Sequence, residues 1–230
     1  DAVKFQFWSS PERMRTRRSV EDPQAYQQGS IEVGWFPVLE AYAQTLGLDF
    51  MCTAYLPEDI ETVAPFVDKF KISSFESQDP TFIERHCGYD KDVIISLGMN
   101  GRMVNFVERY AVDPFEPYIW YLHCVSAYPT PYSQANIARV ANMAGFSDHT
   151  RSLISGALAV GYGARFIEKH IRLADTMSEC ADYWHSLPPD DFRDYVENIR
   201  EAEELVGDGY NEIMPAEESN LQHVVRGGRA

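Results

Sequence analysis

The chain has 230 residues, 45% of them hydrophobic and 24% charged, and a formal net charge of −15. That acidity excludes binding through a broad basic surface of the kind nucleic acid requires, and the composition excludes disorder over most of the length. No run approaches the roughly 20 apolar residues of a membrane helix, and the start, Asp1-Ala2-Val3-Lys4, has no basic-then-apolar leader pattern. A soluble, cytoplasmic protein is expected.

In chain order, Ala2 to Phe7 predicts a strand. Ser9 to Gly34 follows as a long polar loop whose Arg13, Arg15, Arg17 and Arg18 read as a solvated basic patch. A helix is predicted over Val38 to Leu46, stopped by Gly47, then a strand over Asp49 to Thr53 and a helix over Pro57 to Val67 that opens on Pro and acids. Strands follow at Lys69 to Ser74, Asp92 to Leu97, Tyr118 to Ser126 and Gly145 to Asp148. Arg151 to Val160 predicts a helix stopped at Gly161, Ala164 to His170 a strand, and Pro188 to Val206 a last helix stopped at Gly207. Cys52, Cys87, Cys124 and Cys180 are too sparse for a disulfide scaffold or paired CxxC ligands, so reduced thiols are expected.

Most of these strands are near-continuously apolar, as parallel strands covered on both faces are. Alternation of strand and helix predicts an α/β fold, a (β/α)8 TIM barrel with about seven of its eight strands in this chain. Because the chain starts in mid-strand, a missing first strand and helix are expected. Residues 1–207 form the barrel and 208–230 a polar tail that ends Arg-Gly-Gly-Arg-Ala.

In such a barrel the chemistry lies at the carboxyl ends of the strands. Those ends carry Lys4, Gln6, Thr53, Lys71, Ser74, Glu76, Ser96, His123, Ser126, Tyr128, Ser147, Asp148, His149, Glu168, Lys169 and His170. Lys4 and Lys71 interrupt apolar strands, and a lysine is almost never buried without a partner. An anionic, phosphorylated ligand would supply the counter-charge, the alternative being an internal pair with Glu76 or Asp148. His149 and His170 stand 21 residues apart, room for one helix and one strand, so both imidazoles can converge on one ion. With oxygen ligands around them, Mn²⁺ or Mg²⁺ is favoured. Satisfied core or loop histidines are the competing reading. Glu76, two residues past Ser74, can project toward a reacting centre and orient water.

Taken together, these segments resemble the N-acetylneuraminate (sialic acid) synthase family. The matching pieces are Val3-Lys4-Phe5-Gln6, Phe70-Lys71-Ile72-Ser73-Ser74-Phe75-Glu76 and Ser96-Leu97-Gly98-Met99, followed by Leu122-His123-Cys124-Val125-Ser126-Ala127-Tyr128-Pro129-Thr130-Pro131, Gly145-Phe146-Ser147-Asp148-His149-Thr150 and Ile167-Glu168-Lys169-His170. The resemblance implies a TIM barrel that condenses phosphoenolpyruvate with an open-chain amino sugar such as N-acetylmannosamine, releasing phosphate and forming a nine-carbon 2-keto acid. It implies His149 and His170 as metal ligands, and Lys4, Gln6, Thr53, Lys71, Ser74, Ser96 and Ser147 as phosphoenolpyruvate-binding residues. Glu76, Ser126, Tyr128 and Asp182 would face the sugar, Glu76 also guiding water. Ser178-Glu179-Cys180-Ala181 replaces the family's Pro-Gly-Pro before Asp182. The family's first strand and its small C-terminal antifreeze-like domain have no counterpart in these residues, and since the family dimerises through that domain, a homodimer is left open. A non-catalytic barrel that binds ligand or partner without turnover is the alternative from another class.

Overall fold

The computed structural model describes residues 1–99, 101, 119–209 and 213–223. Tyr118 at the start of a predicted strand, residues 210–212 of the tail and its Arg-Gly-Gly-Arg-Ala end lie outside the described residues. Seven strands are present among them: β1 (Ala2–Phe7), β2 (Asp49–Ala54), β3 (Lys69–Ile72), β4 (Asp92–Ser96), β5 (Ile119–Cys124), β6 (Gly145–Asp148) and β7 (Phe166–Lys169). All pair in parallel, β1 with β2 in one ladder and β3-β4-β5-β6-β7 in another, with β2 beside β3. This is a TIM-like barrel wall.

Partners in a parallel ladder face the same side, so the register assigns two faces. Lys4 lies beside Met51, Lys71 beside Ile94, Ile94 beside Trp120, and Ser147 beside Glu168. Inward, Met51, Ile94 and Leu122 pack with Trp120 and Phe166 into an apolar floor. One inward position further along the same strands, the side chains turn polar. Outward, Phe7, Phe50, Phe70, Ile72, Val93 and Ile95 join one large core under the helices. Residues apolar on both faces explain why these strands carry no alternation in sequence.

Six helices are described: α1 (Pro11–Arg18), α2 (Phe36–Thr45), α3 (Ile60–Val63), α4 (Pro80–Cys87), α5 (Ser155–Gly161) and α6 (Pro189–Val206). The helix expected over Pro57 to Val67 is shorter, a 3-10 turn at Pro57–Asp59 leading into α3. The expected loop Ser9 to Gly34 contains α1, capped by Ser10, whose hydroxyl accepts the Arg13 N–H, with Pro11 at the first helical position. Its arginines do not form a free solvated patch: Arg13 pairs with Glu58 at 2.6 Å and Arg17 with Asp79 at 3.0 Å. These contacts dock α1 over the carboxyl ends of β2 and β3. Gly163 takes φ +90° in the turn into β7, a left-handed conformation that favours glycine. In the tail, Pro215–His223 forms an exposed 3-10 stretch. No helix among the described residues is long and apolar enough to cross a membrane, and all four cysteines are free thiols.

His86 on α4 is fully buried between Phe70 and Phe82, its Nδ1–H donating to the Phe82 carbonyl at 2.8 Å. Burial pushes its pKa down to about 4 from 6.5. The unfolded chain therefore takes up the proton first as pH falls. This residue's contribution is intact above pH 6.5 and is lost between 6.5 and 4, by about 3 kcal/mol in total. Melting curves at pH 7 and pH 4.5 should accordingly show a smaller acid-induced drop in Tm for His86→Phe than for the parent; equal drops would contradict the assignment.

Candidate active site

At the carboxyl ends of the strands, the buried Lys71 and the half-buried Lys4 converge on one carboxylate. The Lys71 ammonium donates to Ser96 Oγ at 2.7 Å and to the Ile72 carbonyl at 3.1 Å, and stands 3.4 Å from Glu168 Oε2. Lys4 Nζ is 3.5 Å from Glu168 Oε1, and Ser147 Oγ donates to Glu168 Oε2 at 2.6 Å. Burial acts to raise the Glu168 pKa, but Lys71, Lys4 and the Ser147 hydroxyl outweigh it and hold the carboxyl far below its ordinary range. Burial lowers the Lys71 pKa, with Glu168 opposing that shift. Two ammonium groups against one carboxylate leave a single excess positive charge. The internal carboxylate in contact with both lysines is Glu168, not the Glu76 or Asp148 named as the alternative internal pair from sequence.

Hydroxyls surround that charge. Ser74 Oγ accepts the Gly98 N–H at 3.0 Å and donates to Cys124 Sγ at 3.3 Å. A Cβ on Gly98 would fall 2.8 Å from Ser74 Oγ and collide with Ser126 Oγ, so only glycine lets both hydroxyls meet there. Thr53 Oγ1 is buried with no hydrogen-bond partner, and Gln6, its neighbour in the β1–β2 register, accepts from the Tyr55 hydroxyl at 3.2 Å. An orphaned buried donor beside an excess positive charge suits an anionic ligand.

The histidines form the adjoining part. His149 and His170 converge as their spacing suggested, with ring centroids 5.4 Å apart. His149 Nδ1 lies 3.2 Å from the Val125 carbonyl. A carbonyl only accepts, so Nδ1 carries the proton and Nε2 keeps its lone pair for a ligand. Burial lowers the His149 pKa to about 4 and that of His170 to about 3, so both are neutral near pH 7, as metal ligation requires. His149 Nδ1 also lies 3.6 Å from Cys124 Sγ, which links the imidazoles to Ser74 and, through Ser147, to the lysine cradle.

Asp182 and His185 complete the cluster from the segment before α6. The Leu187 N–H donates to the His170 carbonyl at 2.9 Å and the Arg172 N–H to the Leu187 carbonyl at 3.0 Å, tying this segment to the end of β7. A turn in which the Ser186 N–H donates to the Asp182 carbonyl sets Asp182 and His185 on one side. Asp182 is 3.5 Å from His170 Nδ1 and 3.4 Å from His185 Nε2, and its pKa is lowered to about 2, first by His185 and then by His170 against the opposing effect of burial. Tyr128 packs 4.6 Å from His149 and 5.1 Å from His185. Among the described residues, His170, Asp182 and His185 present ligand atoms all within 4.8 Å of one another. Imidazoles and a carboxylate at this separation fit a divalent metal.

Two sequence expectations change. Glu76 does not project freely from the mouth; it is buried, paired with Arg18 at 2.7 Å, and accepts from the Ser73 hydroxyl. Arg18 comes from the segment expected to be a loop and also lies over the Phe75 ring at 4.0 Å. His123 sits at its strand end but away from the cradle, donating from Nε2 to the Ala135 carbonyl at 2.8 Å and stacking on Phe146. Glu168 stood among the strand-end residues but without a role, and His185 was not placed in the site from sequence, although its three-residue spacing from Asp182 could have suggested it.

The model of the NeuB family matches residues 1–211. The chain belongs to the NeuB family. It is 32% identical to the N,N'-diacetyllegionaminic acid synthase of Legionella pneumophila over 75% of this chain and 52% of that protein. A pseudaminic acid synthase of Campylobacter jejuni is 28% identical over 91% of this chain and 67% of the relative. An uncharacterized protein of Methanocaldococcus jannaschii, MJ1065, is 32% identical over 94% of this chain and 66% of its own length. The chain thus spans about half to two thirds of these relatives. The N-acetylneuraminic acid synthetase of Leptospira borgpetersenii shares the fold with a TM-score of 0.82, at 23% identity, over 96% of this chain and 80% of that one.

Asp148 positions the NeuB-family site from behind. It is fully buried, accepting from the Thr150 N–H at 2.8 Å, Ser155 Oγ at 2.6 Å, the Tyr195 hydroxyl at 3.0 Å and Lys169 at 3.0 Å. It therefore ties β6, β7, α5 and α6 together beside His149. Asp148→Asn strands the buried Lys169 ammonium, a loss of about 3–5 kcal/mol. Thermal unfolding should show a Tm lower by about 10 °C; an unchanged Tm would remove Asp148 as the hub.

Proposed function

We propose that the chain carries the catalytic barrel of a synthase that condenses phosphoenolpyruvate with an N-acetylated amino sugar, N-acetylmannosamine or a legionaminic or pseudaminic acid precursor. The product is a nine-carbon 2-keto sugar acid, with release of phosphate. Membership of the NeuB family supports this reading, and relatives named as synthases of three such acids support the substrate class. The observation that carries it is the pair Lys4 and Lys71 sharing the single carboxylate of Glu168 beside the His149–His170 pair.

In this scheme Lys4, Lys71, Ser74, Ser96 and Ser147 hold the phosphate and carboxylate of phosphoenolpyruvate, with Gln6 and Thr53 at the rim. Ser126, Tyr128 and Asp182 orient the sugar so that its aldehyde carbon meets the enol carbon. His149 and His170 would hold a divalent ion, which would supply polarisation of that aldehyde, and between the two metals expected from sequence, imidazole donors favour Mn²⁺ over Mg²⁺. The new carbon–carbon bond forms, the aldehyde oxygen takes a proton, and positive charge develops at the carbon bearing phosphate. Water adds there and gives up its proton, the carbon–oxygen bond breaks and phosphate leaves with that electron pair, while Glu76, clamped by Arg18, braces the sugar side of the mouth.

Lys71→Met tests the cradle because Met nearly matches the aliphatic stem of Lys but carries no charge. Phosphoenolpyruvate affinity measured calorimetrically should fall about 100-fold or more, with an unchanged far-ultraviolet circular dichroism spectrum. Phosphate release by the parent with phosphoenolpyruvate and a panel of N-acetylated sugars then reads turnover. Unchanged affinity in the variant contradicts the cradle; binding without phosphate release for any sugar favours the non-catalytic barrel.

A further inference from the structure

We propose that His185 is a third imidazole of the metal centre, so that His149, His170 and His185, with Asp182 alongside, select Zn²⁺ or Co²⁺ over Mn²⁺ and Mg²⁺. The inference rests on the proposed reading of His149 and His170 as metal ligands and deepens it.

The buried histidines of this chain set the standard. His86, His123 and His149 each hydrogen-bond a backbone carbonyl, at 2.8, 2.8 and 3.2 Å. His185 is only 1% exposed, yet neither of its ring nitrogens has a hydrogen-bond partner. Asp182 Oδ1 is near its Nε2 at 3.4 Å, an ion-pair distance without hydrogen-bond alignment. Nδ1 thus forfeits its hydration without replacement, and Nε2 has only the long contact to the Asp182 carboxylate, a cost of about 1–3 kcal/mol unless something binds the ring.

What surrounds the ring says what that is. The His185 centroid lies 4.6 Å from that of His170 and 5.6 Å from that of His149. Ligand atoms of His170, Asp182 and His185 already lie within 4.8 Å of one another, so small side-chain rotations reach the separation of about 3.4 Å that Zn–N bonds of about 2.0–2.1 Å imply for a tetrahedral ion. The backbone pairing of Leu187 with His170 and Arg172 keeps His185 from swinging out. Three imidazoles make the first sphere nitrogen-rich. Imidazole suits Zn²⁺ and its neighbours, whereas Mg²⁺ and Mn²⁺ favour carboxylate, carbonyl and water.

The test uses the metal-stripped full chain, titrated separately with Zn²⁺, Co²⁺ and Mn²⁺, for the parent, His149→Ala, His170→Ala, His185→Ala and His185→Gln. The parent should bind Zn²⁺ more tightly than Mn²⁺. Both His185 variants should weaken Zn²⁺ by about tenfold or more, shift the visible ligand-field bands of bound Co²⁺, and leave Mn²⁺ affinity nearly unchanged. A parent-only measurement guards against a variant that misfolds: with ¹⁵N-labelled histidine, Zn²⁺ should shift three imidazoles. Two shifted imidazoles, or His185 variants indistinguishable from the parent, overturn the role of His185 while the two-histidine reading stands. Binding undiminished in His149→Ala and His170→Ala overturns both.

Discussion

One carboxylate, Glu168, is shared by two ammonium groups, and the chemistry of the barrel mouth depends on that imbalance. Desolvating Lys71 favours its neutral form, and Glu168 resists that shift. Glu76 is taken up by Arg18 and Asp182 faces the imidazoles, so Glu168 is the carboxylate in ion-pair contact with both lysines. One carboxylate between two ammonium groups leaves room for an anion to complete the pairing. The floor of Met51, Ile94, Leu122, Trp120 and Phe166 keeps water from below, which strengthens every electrostatic contact above it.

The parallel register makes this arrangement. Side chains two residues apart on one strand share a face, so a strand that places Met51 or Ile94 in the floor presents Thr53 or Ser96 at the mouth. Around the mouth, supports come from different parts of the chain. Asp148 fastens α5 and α6 behind His149, the 182–187 segment is stitched to β7, and Arg18 reaches over from α1 to hold Glu76. Ser147, bonded to Glu168, and Cys124, in contact with Ser147 and His149, connect the lysine cradle to the imidazoles as one continuous polar network.

Much of this was legible in the sequence. The seven strands are found where the apolar runs lie, because burial on both faces leaves an unbroken hydrophobic signal. The convergence of His149 and His170 follows from one helix-strand repeat between them. What escaped did so for physical reasons. Helix α1 buries only Met14 and has almost no apolar face, so its Ser10-Pro11 capping signal stood alone; α4 has the same Asp79-Pro80 signature and only eight residues. The partners of charged groups were the least legible part. Whether Lys71 meets Glu76, Asp148 or Glu168 depends on the tilt and register of strands distant in sequence, and the basic segment near the start gave no hint that Arg18 would cover Glu76.

The central claim is that the lysine cradle and the imidazoles make one site, occupied by phosphoenolpyruvate and a divalent ion together. Calorimetric titration of phosphoenolpyruvate into metal-stripped and Mn²⁺-saturated protein tests it most directly, since a dication held at His149 and His170 would attract a trianion bound beside it. The account predicts affinity raised about fivefold or more by Mn²⁺, with Mn²⁺ affinity raised by the same factor in the reciprocal experiment. Equal affinities with and without the ion would mean that the two halves are independent, and would contradict it.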